Sequence, residues 1–508
     1  MYIKIFMKKF WKKYHKWVGL FFAIFVLNFC FSGIILNHRK AFSRCELSRA
    51  WMPKDYSFKN WNNGIIRGAE PLDEHSTLLY GETGIWKTDS SLSAFTSYNE
   101  GLDEGIDNRK IRNILTMPDG SIWCSALWDI YRITPDGKSW FKQELPGNKD
   151  RLTDIASRGD TLVAMTRDRI YEALPPYTEF TVYELPAPKG YTGKVGLFRQ
   201  VWLLHSGELF GLVGKLIVDA LALILIFLCI TGIIFTVAPK CIERRRMKQK
   251  NTAGAVKTMK FSTKWHIKIG TWLFVPTLIL AVTGMCLRPP MMFPFVMTSS
   301  KPIPGTTLDS DNAWHDKLRS IRWDEQESEW LLSTSEGFFK TPDFKTTPIL
   351  EPIAPPLSPE GINVFEKCNE EEWLIGSFAG LYRWNRQTGA ITDYMNDEAY
   401  DPTKRSFYGT AVANGFSREI VSGKEIVFDY GKGAITRTGE VSGLPEMPEE
   451  MKKQPMSLWN FGLELHVGRC YAPFIGPLSS MFVFIAGLLL TLTLISGYVL
   501  RPKRKKKK

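Results

Sequence analysis

Histidine is scarce in this chain, with seven among 508 residues, and cysteine is little commoner, with eight. No two cysteines form a C-x-x-C pair, which leaves no ready redox or metal motif of that kind. No G-x-G-x-x-G sits between a strand and a helix and no P-loop is present, so no nicotinamide or flavin domain is recognisable. Nucleophile elbows and metalloprotease signatures are missing as well. Acid is lacking where base is dense. Six lysines and no acid precede Trp17, ten Lys or Arg and one Glu lie in Pro239–Lys268, and the tail RPKRKKKK adds seven basic residues. These three clusters more than account for the formal charge of +13; the rest of the chain is net −9.

Apolar sequence is concentrated in four runs, Trp17–Leu36, Leu216–Val237, Gly270–Leu287 and Ser479–Leu500. Each approaches the ~20 residues that cross a bilayer. The second, within Leu204–Pro239, is apolar all round and divides the chain into halves of similar plan. Basic clusters at alternate ends of the runs are the positive-inside pattern. They place both termini and the middle loop in the cytoplasm and the segments 39–200 and 290–465 on the exported side. Each cluster abuts a span, so it reads as a lipid-facing anchor and not as a nucleic-acid site. The first run is too long for a signal h-region and lacks a small-residue cleavage site, so it is retained. Cys45, Cys124, Cys368 and Cys470 fall in exported sequence, where they either pair or stay as buried thiols.

The expected organisation is therefore membrane α plus β. It runs 1–38 (N-terminus and helix 1), 39–198 (exported β half), 199–238 (helix 2), 239–264 (basic loop), 265–288 (helix 3), 289–458 (second exported β half) and 459–508 (helix 4 and basic tail). The location is a bacterial inner membrane, with the β segments periplasmic.

The spans repeat one another. His15 is followed by Gly19 and, 17 residues on, by Ser32-Gly33; His266 is followed by Gly270 and, again 17 residues on, by Thr283-Gly284. His205-x-Gly207 and His466-x-Gly468 open the other two, which carry Thr231-Gly232 and Ser496-Gly497. The unit of span, long exported segment and span thus occurs twice, as in halves related by an axis along the membrane normal.

The exported segments carry six strand–corner–strand repeats, whose paired strands begin at Leu78 and Ile85, Ile122 and Ile130, Leu162 and Ile170, Trp330 and Phe338, Trp373 and Leu381, and Ile426 and Ala434. Neighbouring repeats within a half start about 40–50 residues apart, a blade-like spacing. Trp373–Gly389, WLIGSFAGLYRWNRQTG, resembles the β-propeller repeats of two-component sensor regions. Three repeats per half cannot bury their faces alone, so the two halves are expected to join into one composite propeller of six or seven blades.

Four of the seven histidines are His15, His205, His266 and His466, one for each span. Alternating topology puts His15 with His266 at the cytoplasmic level and His205 with His466 at the exported level. Imidazole is a common axial ligand of haem iron, and helical bundles hold cofactors with inward side chains. Two bis-histidine b-type haems, stacked across the bilayer with Gly19, Gly270, Gly207 and Gly468 giving room, is the expected arrangement. The order H-x-x-x-G, H-x-G, with [ST]-G near each exit, resembles the PepSY-associated transmembrane family, over about a quarter of the chain. That family includes haem-containing inner-membrane reductases linked to ferric-siderophore uptake. The resemblance implies that His15, His205, His266 and His466 ligate haem iron, and a ferric chelate is the acceptor expected. Family members commonly carry small PepSY modules where this chain has propeller-like repeats. With no cofactor domain in this chain, a cytoplasmic flavoprotein or membrane quinol would supply the electrons.

Two other readings compete. One is a membrane-anchored propeller that senses or binds a ligand without redox chemistry. The other is a component of chelate transport, resting on Lys215 and Asp219, one helical turn apart. His38 is expected at the surface, with His75 and His315 ordinary. Arg39, Arg199, Arg288 and Arg469 flank the exported helix ends as interfacial anchors or propionate partners.

Overall fold

Long apolar runs and short alternating ones fold separately. In the computed structural model, residues 2–358, 361–404, 411–438 and 442–502 are described. The end of the basic tail, residues 503–508, lies outside the described residues. The chain divides into two compact units: Met1–Phe42, Gly193–Asp309 and Leu458–Lys508 form one, and Ser43–Thr192 with Ser310–Ser457 the other.

The first unit is helical. Its main helices are α1 (Tyr2–Asn37), α2 (Leu197–Ser206), α3 (Gly211–Met247), α4 (Ala253–Trp272), α5 (Phe274–Cys286), α6 (Leu458–His466) and α7 (Ser479–Val499). Among the described residues three stretches, Met7–Asn37, Glu208–Met247 and Arg469–Val499, are long and apolar enough to cross a membrane. The expected third span, Gly270–Leu287, is not one straight helix. It straddles the junction of α4 and α5, which are bent by 70°. Pro276 explains the break, because it has no N–H to give the Trp272 carbonyl and its ring crowds that carbonyl. Val26, Cys30, Ala222, Leu225 and Leu228 form the buried centre, with Leu280, Leu490 and Leu494 packed on it.

Among the described residues the second unit holds six antiparallel sheets of three or four strands in chain order, spanning 68–97, 113–143, 152–183, 318–350, 364–393 and 413–435, and a two-stranded pair of Glu46–Leu47 with Met456–Ser457. Of the six, five have four strands, the last has three, and each strand pairs with the next in sequence, as in propeller blades. All six strand pairs expected from sequence are present as the second and third strands of these sheets. Cores lie between neighbouring sheets: Leu78, Ile85, Ile114 and Cys124 join the first to the second, and Val163, Met165, Leu318 and Leu332 the third to the fourth.

Hydrogen bonds also link each sheet to the next. Tyr80 Oη donates to Asn113 Oδ1 at 3.0 Å, Asn113 Nδ2 to the Ile155 carbonyl at 2.9 Å, and Arg322 to Asp154 at 2.6 Å. Arg322 Nε donates to the Phe365 carbonyl at 2.9 Å, Asn363 Nδ2 to the Ala413 carbonyl at 3.1 Å, and Phe416 N back to the Arg67 carbonyl at 3.0 Å. The two sequence halves therefore build one compact unit. All eight cysteines are free thiols, including Cys45, Cys124, Cys368 and Cys470.

Candidate functional site

Left-handed glycines set where two of the histidines stand. Helix α2 ends on His205 and Ser206, and Gly207 closes it at φ 79°. Gly468 follows α6 and His466 with the same φ. A non-glycine residue is strained in this conformation, so H-x-G is a helix C-terminal signal. His205 and His466 thus lie on short helices ahead of α3 and α7, not on the spans themselves. At Gly207 a Cβ would also lie 2.2 Å from the Gly214 carbonyl oxygen, so the two chain segments need glycine to meet. Gly207 and Gly468 turn the backbone where the sequence suggested space for a ligand. Gly19 and Gly270 face Thr493 and Leu228, as packing positions between helices.

The four histidines form two pairs. His15 and His266 have ring centroids 6.1 Å apart at 75°. His205 and His466 are 6.2 Å apart at 56°. Each ring is held from behind. His15 Nδ1 donates to the Thr493 carbonyl and to Ser496 Oγ, both at 3.0 Å. His205 Nδ1 donates to the Leu280 carbonyl and to Thr283 Oγ1, both at 3.1 Å. His266 Nδ1 meets Thr231 Oγ1 at 3.0 Å, and His466 Nδ1 meets Ser32 Oγ at 2.9 Å.

The hydroxyl protons decide the tautomer. Ser32 donates to Asn28 O, Thr231 to Phe227 O, Thr283 to Ile279 O and Ser496 to Thr493 O, at 2.7–2.8 Å. With its proton so committed, each hydroxyl can only accept from the imidazole. All four rings therefore carry hydrogen on Nδ1 and a lone pair on Nε2. Among the described residues no Nε2 of the four has a hydrogen-bond partner.

The glycine after each hydroxyl completes the cradle. A Cβ on Gly33, Gly232, Gly284 or Gly497 would come within 2.9–3.5 Å of Cε1 of His466, His266, His205 and His15 respectively. The sequence showed [ST]-G as a repeat; its role as a clamp on a histidine from another helix is legible only in three dimensions.

The donor chemistry is narrow. Among the described residues no three His, Cys, Asp or Glu side chains cluster as a metal site. Each pair offers two neutral imidazole nitrogens and nothing else, so a metal held there needs its remaining ligands from a group that brings its own. Two imidazoles on opposite sides of one metal, each bonded at about 2 Å, place their ring centres about 6 Å apart. The residues fit a porphyrin iron bound between them.

Other expected residues fall differently. Lys215 pairs with Glu208 at 3.3 Å, and Asp219 with His38 at 2.5 Å, so the Lys215–Asp219 pair is not formed. His38, expected at the surface, is partly exposed, with 26% of its side chain accessible. Arg39 stacks on Trp459 at 3.7 Å and Arg199 on Trp202 at 4.8 Å, while Arg469 donates to Glu464 at 2.9 Å. Arg288 makes no side-chain hydrogen bond or ion pair among the described residues. His75 and His315 lie in the β unit.

A family model described as the PepSY-associated TM region matches residues 13–504. No curated protein matches the chain. Solved structures similar to it include a structural genomics protein of unknown function from Bacteroides thetaiotaomicron, at 8% identity and TM-score 0.35 over 76% of this chain and 72% of that one. The extracellular domain of a putative one-component system from the same organism is 8% identical, with TM-score 0.35, over 76% of this chain and 42% of that one. That of a putative hybrid two-component system is 12% identical, with TM-score 0.33, over 73% and 39%. The chain spans less than half the length of these last two.

Proposed function

The chain belongs to the PepSY-associated TM family, and from that premise we propose that it is a di-haem transmembrane electron-transfer protein that reduces an acceptor on the exported side, a ferric chelate. The observation that carries this reading is the repeated geometry of two histidine pairs, each about one bis-imidazole separation apart and each with Nδ1 already committed. Haem b, when bound, supplies one-electron exchange at each level. His15 with His266 would hold one group and His205 with His466 the other. Ser496, Thr231, Thr283 and Ser32 fix the tautomer and the ring orientation, and a hydrogen bond behind a ligand also raises its basicity. The apolar centre around Val26, Leu225 and Leu228 keeps water away from the path between the levels.

In this reading the bent α4–α5 pair is the fourth span, and the protein sits in a bacterial inner membrane with both termini in the cytoplasm. The six linked sheets close into one six-bladed propeller on the periplasmic side. Electrons enter at the His15–His266 level from a cytoplasmic flavoprotein or from quinol, and leave at the His205–His466 level. The transport alternative loses its support with the Lys215–Asp219 pair.

Reconstitution tests the proposal. Vesicles holding the protein and haem, with a reductant sealed inside, should reduce a ferric chelate added outside, and empty vesicles should not. Tight binding of the chelate with no reduction would favour the binding and sensory reading instead.

A further inference from the structure

Four consecutive residues at and just beyond the end of α1 tie it to its neighbours, and three of them, Leu36, Asn37 and Arg39, touch the short helices that carry the exported-level histidines. The Leu36 carbonyl accepts from Trp459 Nε1 at 3.3 Å, and Arg39 lies over the Trp459 ring at 3.7 Å; Trp459 is on α6 with His466. Asn37 Nδ2 donates to the carbonyl of Ser206, the neighbour of His205, at 3.0 Å, and to Asp219 Oδ1 at 3.1 Å. His38 Nε2 meets the other Asp219 oxygen at 2.5 Å. Asp219 stands on α3 within a stretch apolar enough to span a membrane, and its side chain is 14% exposed.

An acid in such a stretch is costly and marks a functional position more often than a structural one. The duplication supplies an internal comparison. Six residues beyond Ser32 stands His38, and six beyond Thr283 stands Pro289. Twelve residues before Thr231 stands Asp219, and twelve before Ser496 stands Phe484. The second half builds the same kind of histidine turn without this polar group, so the repeat does not need it to fold.

We propose that Asn37, His38 and Asp219 form a clamp that positions the His205 turn, and through it the His205–His466 pair, on one half of the protein only. Asp219 is the centre of the clamp: one oxygen is taken by Asn37 at the end of α1 and the other by His38 just beyond it, and the same Asn37 amide reaches the backbone next to His205. These are positioning residues, because none of them touches either imidazole of the pair. The part of the inference that concerns haem rests on the proposed function; the part that concerns the turn does not.

The test uses the full chain purified in detergent, with Asp219→Ala, Asn37→Ala, His38→Gln and Lys215→Ala. Amide hydrogen exchange is read at residues 203–207 and at 461–468, and the midpoint potential of each haem is titrated. Loss of a charge-assisted contact should speed exchange at 203–207 about tenfold or more in Asp219→Ala and Asn37→Ala. It should also shift one potential while the other holds. His38→Gln keeps a donor facing Asp219 and should stay near wild type, as should Lys215→Ala. Unchanged exchange at 203–207 in both alanine variants overturns the clamp, and so does an equal rise over every helix. Should Asp219→Ala fail to fold, Asn37→Ala and His38→Gln decide the matter. A wild type without haem whose variants still loosen 203–207 would leave the clamp standing and overturn the haem reading.

Discussion

Replacing His205 or His466 with alanine is expected to remove one of two haems and leave the other, and replacing His15 or His266 should do the reverse. Each pair supplies two nitrogens from two different helices, and no third donor clusters with them among the described residues. Removing one nitrogen would leave a single imidazole to hold the group at that level. Even the groups behind a metal ligand are worth about 10–100-fold in affinity, so loss of the ligand itself should exceed about 100-fold. Ser32→Ala and Thr283→Val, which leave the nitrogen and release its orientation, should fall within that smaller range. His75→Ala and His315→Ala, in the β unit, should change nothing. Haem content per polypeptide, with a pyridine haemochrome assay, reads all of these. Electron flow across a membrane should stop in every haem-loss variant, since the proposed path passes through both levels in series.

Arg386→Ala should be the most damaging single change in the β unit. The guanidinium is 5% exposed, donates to Asp324 at 2.6 Å and Glu329 at 2.5 Å, and also binds Glu351. It therefore joins the fourth sheet to the fifth. Asp324 also receives Lys367 at 3.0 Å and the Trp373 indole at 3.1 Å. Removing the arginine leaves buried carboxylates facing one another, at a cost on the order of 3–5 kcal/mol. Burial alone would raise the Asp324 carboxyl, but Lys367 and Arg386 outweigh it and hold it below the ordinary carboxylate range. A lowered carboxyl stabilises the fold above its unfolded value and loses that contribution as pH falls through its folded one. The difference between variant and wild type should therefore shrink in acid. Urea unfolding followed by tryptophan fluorescence at neutral and acid pH measures both effects.

Much of this architecture is legible in the linear chain because its signals are local. The central strands of the first five sheets mix apolar residues with tryptophan or tyrosine, as in Trp373–Ile375 and Leu381–Tyr382, which the structure buries, and those of the sixth, Ile426–Asp429 and Gly433–Ile435, carry apolar residues without either. Outer strands such as Ile349–Leu350 are two residues long and exposed, too short for any period to show. The pairing of the four histidines followed from span direction alone. What sequence spacing obscured was the partner of each group. Lys215 and Asp219 stand at the interval of a helical ion pair, yet Asp219 finds His38, 181 residues away. Gly207 and Gly468 stand beside histidines as if to make room, yet their φ of 79° shows that they end helices. The hydroxyl clamps on Nδ1 run between different helices for all four rings, which no single-chain period can display.

The central claim is that each histidine pair holds a haem iron between two imidazoles, and one measurement meets it directly. The full-length protein, expressed with ample haem and purified, is scanned from the Soret to the visible region before and after dithionite. Two haems per chain, with the sharp low-spin bands of bis-histidine ligation in the reduced state, is the predicted result. A protein that is folded by circular dichroism and shows no such bands would contradict the account and leave the binding reading in its place.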